Sequence, residues 1–401
     1  MTLKVLILSR LAGSYSTQRL KEASARRGHS ARVLNTMNFS MLVERAQPRL
    51  FYRDRPLSRY DAAIPRIGAS ISAYGTAVVR QLEQMGVFTL NSAHAIGTSR
   101  DKLRAFQILS AHEIAFPPTA FVRDRDSARS AVEQVGGPPV IIKLIEGSQG
   151  AGVILADTRK SAEAILEAFL VARQDVIVQK FVSESRGRDL RVLVVGGRVV
   201  AAMRRRAAPD EFRSNVHRGG RTERAKLSPE LEALALKSVQ ILGLQVAGVD
   251  LIESDDGPLV LEVNSSPGLE GIESATGIDV AMAIVEHMEE QIAFPEFDLR
   301  QRLSVAPTHA TAELVVGPES GLEQRTLGAL GLAARDILVL TVTRGTRVVA
   351  TPSPDFLLVR GDRLVCFGCT DSLRALMPTV EKRTLSSPES EPRVPISGRR
   401  T

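Results

Sequence analysis

Over about the first ninety residues, short apolar runs alternate with stretches of helical period. The runs are Lys4 to Ser9, Ala31 to Leu34, Ala62 to Ile67 and Val87 to Leu90; the helical stretches lie near Thr17 to Arg27 and Tyr74 to Met85. A helix between two strands is the crossover that parallel pairing needs, and apolar strands need cover on both faces. The amino-terminal part is therefore expected to be a mostly parallel α/β sheet. Its first turn, Arg10-Leu11-Ala12-Gly13-Ser14, lacks the G-x-G-x-x-G of dinucleotide-binding sheets, and no G-x-x-x-x-G-K-[ST] occurs anywhere. A dehydrogenase and a P-loop NTPase both lose their main support, so any nucleotide must be held another way.

From about Thr98 the pattern becomes α+β. A helix carrying Asp101 and Lys102 leads to a strand Val140 to Leu144, a glycine-rich loop Glu146 to Gly152 and a strand Val153 to Ala156. A helix near Ser161 to Leu170, a strand Val176 to Gln179, a paired stretch Arg191 to Met203 and a helix Pro229 to Leu242 follow. Periodicity fades between Phe294 and His309, and a further α/β unit runs from Thr311 to about Met377. The end of the chain, rich in Ser, Pro, Glu and Arg, reads as a disordered tail. The expected domains are 1–97, 98–295, a linker 296–308, 309–379 and a tail 380–401.

Bulk properties fit this plan: 401 residues with 44% hydrophobic and 24% charged suit two or three soluble domains. The opening MTLKVLILSR is too short and too charged for a signal peptide or a span, and two cysteines build no disulfide framework, so a cytoplasmic protein without membrane association is expected. A net charge of +7 favours acidic partners without choosing among nucleotides, acidic peptides and RNA surfaces.

The segment from Val249 to Asn264 reads as a hairpin of two apolar strands interrupted by acidic groups. Glu262 and Asn264, two apart, share a face. With a three-residue loop Asp255 to Gly257, Asp250 sits opposite Glu262 on that same face, whereas a two- or four-residue loop turns it away. Two carboxylates and an amide oxygen are hard ligands of the kind that bind magnesium bridging phosphates.

Lys143 stands mid-strand in Val140-Ile141-Ile142-Lys143-Leu144, where an ammonium is costly unless an anion meets it. With the glycine-rich loop behind it, whose N–H groups can close over phosphates, it indicates triphosphate binding. Between Arg204 and Arg221 stand six arginines, at 204, 205, 206, 213, 218 and 221, a density suited to neutralising phosphate and carboxylate together. A nucleic-acid surface would bring stacking aromatics, and this stretch offers only Phe212, so no direct nucleic-acid binding is expected.

Taken in order, these segments resemble the RimK family of ATP-grasp ligases, which add glutamate to the carboxyl terminus of a small-subunit ribosomal protein. The resemblance spans about residues 1 to 295. It rests on Ile64-Pro65-Arg66-Ile67-Gly68, Arg100-Asp101-Lys102-Leu103-Arg104, Lys143-Leu144-Ile145-Glu146-Gly147, Phe212-Arg213-Ser214-Asn215, His217-Arg218-Gly219-Gly220, Ala247-Gly248-Val249-Asp250, Leu261-Glu262-Val263-Asn264 and Pro267 to Glu273. It implies a parallel α/β pre-ATP-grasp domain and an α+β ATP-grasp domain. It also implies that Lys143, assisted by Lys102, binds ATP phosphates and that the hinge Gln179-Lys180-Phe181 carries adenine. By the same resemblance Asp189, Arg213, Ser214 and Asn215 would complete the nucleotide site, and Asp250, Glu262 and Asn264 would ligate two Mg²⁺ or Mn²⁺. Arg191, Arg204 and Arg213 are assigned to charge stabilisation during phosphoryl transfer. Lys180 departs from the family, which usually has an acidic residue there, and this leaves adenine to be recognised by backbone groups rather than by a side-chain contact to its amino group.

Residues 309 to 379 extend beyond that family and resemble the carboxy-terminal TrkA-C module of potassium-transport regulators. The cues are Gly328 to Leu332, Ile337 to Val342, Pro352-Ser353-Pro354-Asp355 and Arg360 to Leu364. The resemblance implies a small regulatory-type α/β module that senses a ligand or mediates a dimer or tetramer. Cys366 and Cys369 form a C-x-x-C with no second pair to complete a zinc site, and are expected to pack. The expected activity is an ATP-dependent ligase adding L-glutamate to a ribosomal protein terminus; the alternatives are a ligase making small peptides or poly-glutamate and a non-enzymatic nucleotide or ligand sensor.

Overall fold

Residues 2–45, 48–145, 152–208, 211–212, 220–293, 309–318 and 320–376 are described by a computed structural model. The chain divides into two compact units, Met1–Pro295 and Glu296–Thr401. In the first, β1 (Lys4–Ser9), α1 (Tyr15–Arg26) and β2 (Ser30–Leu34) make the anticipated βαβ opening. A small antiparallel sheet of β3 (Phe39–Leu42), β4 (Arg49–Tyr52) and β5 (Arg55–Pro56) follows, which the sequence reading did not foresee. Strands of two to four residues are too short to display a period of two. Then come β6 (Ala62–Arg66), α2 (Ser72–Gln84) and β7 (Phe88–Thr89), and the parallel sheet runs β2-β1-β6-β7.

The single helix expected around Asp101 is two helices, α3 (Ala93–Arg100) and α4 (Lys102–Ala111). Asp101 is extended, and its Oδ1 accepts from the Arg104 N–H at 3.0 Å, so it caps the second helix where it ends the first. Arg100 and Lys102 thus flank a sharp break.

A second sheet is built from β8 (Thr119–Val122), β9 (Val140–Leu144), β10 (Val153–Ala156) and β11 (Val176–Lys180), antiparallel in the order β10-β9-β11-β8. Helices α5 (Arg125–Gln134) and α6 (Arg159–Val171) bury Val132 and Leu166 against its Val140, Ile142 and Val178.

The third sheet comprises β12 (Arg188–Val195), β13 (Arg198–Arg206), β14 (Arg221–Arg224), β15 (Val246–Ser254) and β16 (Gly257–Asn264), ordered β14-β13-β12-β15-β16. One face is core throughout: Leu190, Val192, Val249, Leu251 and Val260 meet Leu231, Ala235 and Val239 of α7 (Pro229–Ile241). The opposite face is divided. Leu193, Val195, Ala201 and Val246 join the first sheet's Val5, Ile7 and Ile64 and the helices α8 (Glu270–Thr276) and α9 (Val280–Ala293) in one core, while the rest of that face is polar. Buried Asn91 ties the start of α3 to this sheet, donating to the Val246 and Ser265 carbonyls and accepting from the Gln245 and Val246 N–H groups.

The carboxy-terminal unit is sheet-rich: β17 (His309–Val315), β18 (Ile337–Arg344), β19 (Arg347–Ala350) and β20 (Arg363–Cys369) run antiparallel in the order β17-β20-β18-β19 over Leu314, Val342, Leu364 and Cys366. Cys366 and Cys369, three apart on a strand, point to opposite faces; burial pushes the Cys366 thiol up to about 11, so it packs as a hydrophobe. Among the described residues no helix is long and apolar enough to cross a membrane.

Candidate functional site

The hairpin of β15 and β16 carries the acidic residues as one set, by a different route from the one anticipated. Ser254 pairs with Gly257, so the loop is the two residues Asp255 and Asp256 rather than three. Unmodified, that register would put Asp250 on the wrong face. A bulge next to Asp250 inserts Leu261 as an extra residue, and beyond it Asp250 faces Glu262 and Gly248 faces Asn264. The residue expected in the turn has moved into the strand. Asn264 Nδ2 donates to Glu262 Oε1 at 2.9 Å.

Gly248 is required by packing. A Cβ there would lie 2.8 Å from Pro267 Cβ and 3.2 Å from Arg191 Cδ, so only glycine lets the 265–269 turn and the Arg191 stem close over the strand.

Beside the hairpin lies an ion network. Register places Arg191 opposite Asp250 and Asp189 opposite Arg205, with Asp189 and Arg191 two apart on β12. Arg191 grips Asp250 through Nε and Nη2, the latter at 2.7 Å. Arg205 grips Asp189 through two bonds of 2.6 Å and reaches Asp250 Oδ2 at 3.1 Å. Burial pushes the Asp250 carboxyl up, but Arg191 and Arg205 outweigh it and hold the group well below the usual carboxylate range. Burial works against the Arg205 charge too, and Asp250 and Asp189 raise its pKa above the ordinary value.

Facing this sheet, Lys143 Nζ donates to Gln179 Oε1 at 2.7 Å, and Gln179 Nε2 to Thr119 Oγ1 at 2.9 Å. Burial lowers the Lys143 pKa to about 8; Glu262 opposes that shift and Lys102 adds to it. Lys102 donates to the Leu144 carbonyl at 3.2 Å and is likewise lowered by burial. The two ammonium groups therefore converge near Glu262, a concentration of positive charge suited to a polyanion.

Asp189, Arg191, Asp250, Glu262 and Asn264 are thus on one face, with Lys143, Lys102 and Gln179 towards it. Arg204 is not: next to Arg205 on a strand, it points to the other face, where Nη1 pairs with Glu253 at 2.7 Å. Lys180 turns its Nζ to the Gly136 and Gly137 carbonyls at 3.1 and 3.3 Å, and Phe181 packs edge-on to Phe212. Arg213, Ser214 and Asn215 lie outside the described residues, as does 146–151 of the glycine-rich loop. Arg205, counted in the arginine cluster but given no role, is the one the sheet brings to Asp189 and Asp250. Alternation along β13 was the available signal, since only one of two adjacent arginines can face Asp250.

The donor set fits a divalent cation. Glu262 carries a carboxylate and Asn264 an amide on the same face; the amide nitrogen now bonds Glu262, and a half-turn of that amide would put its oxygen beside the carboxylate, with Asp250, kept ionised, facing them. Three N–H donors already occupy Asp250, which leaves Glu262 and Asn264 the freer ligands.

The RimK PreATP-grasp domain matches residues 3–96, the RimK-like ATP-grasp domain residues 99–288 and the TrkA-C domain residues 311–380. A protein of Rhodopirellula baltica named probable alpha-L-glutamate ligase is 53% identical over 376 residues, 94% of this chain and 93% of the relative. One of Hahella chejuensis, probable alpha-L-glutamate ligase 1, is 51% identical over 72% of this chain and 95% of its own. Among solved structures, the ATP-grasp ligase PsnB complexed with a phosphomimetic variant of its minimal precursor, Mg and ADP shares the fold at a TM-score of 0.56, with 21% identity over 73% of this chain and 99% of that one.

Proposed function

Since the chain belongs to the RimK family of ATP-grasp ligases and is an enzyme forming C–N bonds, with a TrkA-C domain at its carboxy-terminal end, we propose that it uses ATP to add L-glutamate to the C-terminal carboxylate of a small-subunit ribosomal protein. The observation that carries the reading is the bulged register that sets Asp250 against Glu262 on the face bearing Asn264, beneath Lys143. The names of the relatives support glutamate as the amino acid.

In this reading the ATP phosphates lie over Lys143 and Lys102, with adenine at the hinge of Gln179, Lys180 and Phe181, held by backbone rather than by the Lys180 side chain. Asp250, Glu262 and Asn264 would hold two Mg²⁺ or Mn²⁺. When bound, the cations offset charge on the transferring phosphoryl group. The acceptor carboxylate oxygen takes the γ-phosphoryl group of ATP, releasing ADP; the glutamate amine then attacks the acyl carbon, loses a proton and expels phosphate as the amide forms. Arg191 and Arg205 keep Asp250 ionised and fix its rotamer, which makes them positioning residues. Arg213, Ser214 and Asn215 complete the nucleotide site, and the carboxy-terminal module assembles a dimer or tetramer.

The test is ADP and phosphate release from ATP with Mg²⁺ and L-glutamate, with and without ribosomal acceptor protein, alongside the acceptor's mass. Mass steps of one glutamate residue, lost in Glu262→Ala, are expected. Turnover indifferent to acceptor, yielding free peptides, would replace the protein acceptor by a small one.

A further inference from the structure

Arg66 and Arg100 bring two guanidinium groups together in a partly buried place where no carboxylate among the described residues pairs with either. Arg66 ends β6, beside Ser9 of β1, at the carboxyl edge of the parallel sheet. Its Nη2 donates to the Pro267 carbonyl at 2.7 Å. Arg100 ends α3, and its Nη2 donates at 2.6 Å to the carbonyl of Ile67, the residue after Arg66. The Nε of Arg100 is buried and has no partner. Each guanidinium has five N–H donors, so beyond these two carbonyl bonds most of this donor capacity is left for a ligand, and Arg100 Nε in particular is closed off from water.

Burial, reinforced by the charge of Arg100, lowers the Arg66 pKa to about 10, and burial lowers that of Arg100 against the pull of Glu262. A fold gains nothing from two desolvated like charges unless an anion joins them. The location says which kind. The Pro267 carbonyl that Arg66 holds is three residues beyond Asn264, and Arg100 precedes Lys102 across the Asp101 break. A line of cations therefore runs from Lys143 through Lys102 and Arg100 to Arg66, past Glu262. Its Lys143 end suits phosphates. The other end, at the carboxyl edge of a parallel sheet where ligands of α/β folds gather, suits a second, planar anion that a guanidinium fork can grip.

We propose that Arg66 and Arg100 form a subsite for a substrate carboxylate, separate from the phosphate position and supplied by the pre-ATP-grasp sheet and the start of the catalytic domain. The proposal rests on the ligase reading for the substrate's identity: the carboxylate belongs to the amino acid or to the peptide acceptor.

Titration calorimetry on the full chain loaded with AMPPNP and Mg²⁺ tests it. The ligands are L-glutamate, a peptide with a free C-terminal carboxylate and the same peptide amidated, and the proteins are wild type, Arg66→Met, Arg100→Met and Arg100→Lys. AMPPNP affinity, expected to be unchanged, reports folding. Carboxylate affinity is expected to fall roughly ten- to hundredfold in both Met variants and less in Arg100→Lys, the loss of a charge-assisted bond. A loss confined to glutamate assigns the site to the amino acid. A loss confined to the free-acid peptide assigns it to the acceptor. Variants that hold AMPPNP and bind both ligands like wild type would overturn the proposal, as would a wild-type protein that binds no member of a panel of amino acids and dicarboxylates. Should Arg66→Met lose AMPPNP, the Arg100 pair decides. Failure of the glutamate reading looks different: no turnover with glutamate, together with Arg66-dependent binding of another carboxylate from that panel.

Discussion

Raising the pH from 7 to 9 is expected to weaken nucleotide binding by about tenfold through Lys143 alone. In the free protein burial holds this lysine near 8, against 10.5 for an ordinary lysine, with Gln179 as its hydrogen-bond acceptor. The folded pKa is below the unfolded one. The burial penalty is therefore full below pH 8 and is relieved between 8 and 10.5, where the unfolded chain binds more protons, so this group makes stability rise with pH there. A bound triphosphate reverses the balance by supplying the missing anion, which raises the pKa and obliges binding to take up a proton. About nine-tenths of free Lys143 is charged at pH 7 and about one-tenth at pH 9, which gives the tenfold figure, about 1.4 kcal/mol. Calorimetry of ATP binding at both pH values, repeated in buffers of different ionisation heat, measures affinity and proton uptake together. Lys143→Met serves as the reference, because it keeps the nucleotide's own titration and removes the lysine's. An affinity ratio between wild type and Lys143→Met that is the same at both pH values, or proton release on binding, would refute the argument.

Further outcomes follow from the same geometry. Arg205→Met removes the two-bond partner of buried Asp189 and one of the three donors on buried Asp250 and is expected to cost about 3–5 kcal/mol in urea unfolding, whereas Arg204→Ala, which loses only a pair with the exposed Glu253, should cost under about 1 kcal/mol and leave ligation close to wild type. Gly248→Ala forces its new methyl into Pro267 and the Arg191 stem; about 1–3 kcal/mol of destabilisation is expected, with weakened Mg²⁺ dependence of ligation as Asp250 is displaced. A chain ended after residue 295, which keeps the four amino-terminal cores intact, should unfold cooperatively and bind ATP with wild-type affinity in the same calorimeter.

Periodicity and residue chemistry made much of this protein legible in its sequence. Apolar runs bounded by turns marked β1, β6, β9 and β15, because a strand covered on both faces must be apolar throughout. Lys143 and the acidic hairpin stood out because charge within such strands is costly without a partner. What tertiary structure alone decided is register and direction. Sequence suggested a three-residue turn; the fold uses two residues and a bulge at Leu261, since turn and bulge both add one residue to the count and a linear pattern does not separate them. Adjacent arginines at 204 and 205 looked alike until pairing with Asp189 and Glu253 fixed the strand's faces. The meeting of Arg66 with Arg100 was invisible for a stronger reason. They stand on different elements, and only the packing of the 66–67 and 265–269 turns, held by single carbonyl bonds, brings the two charges together.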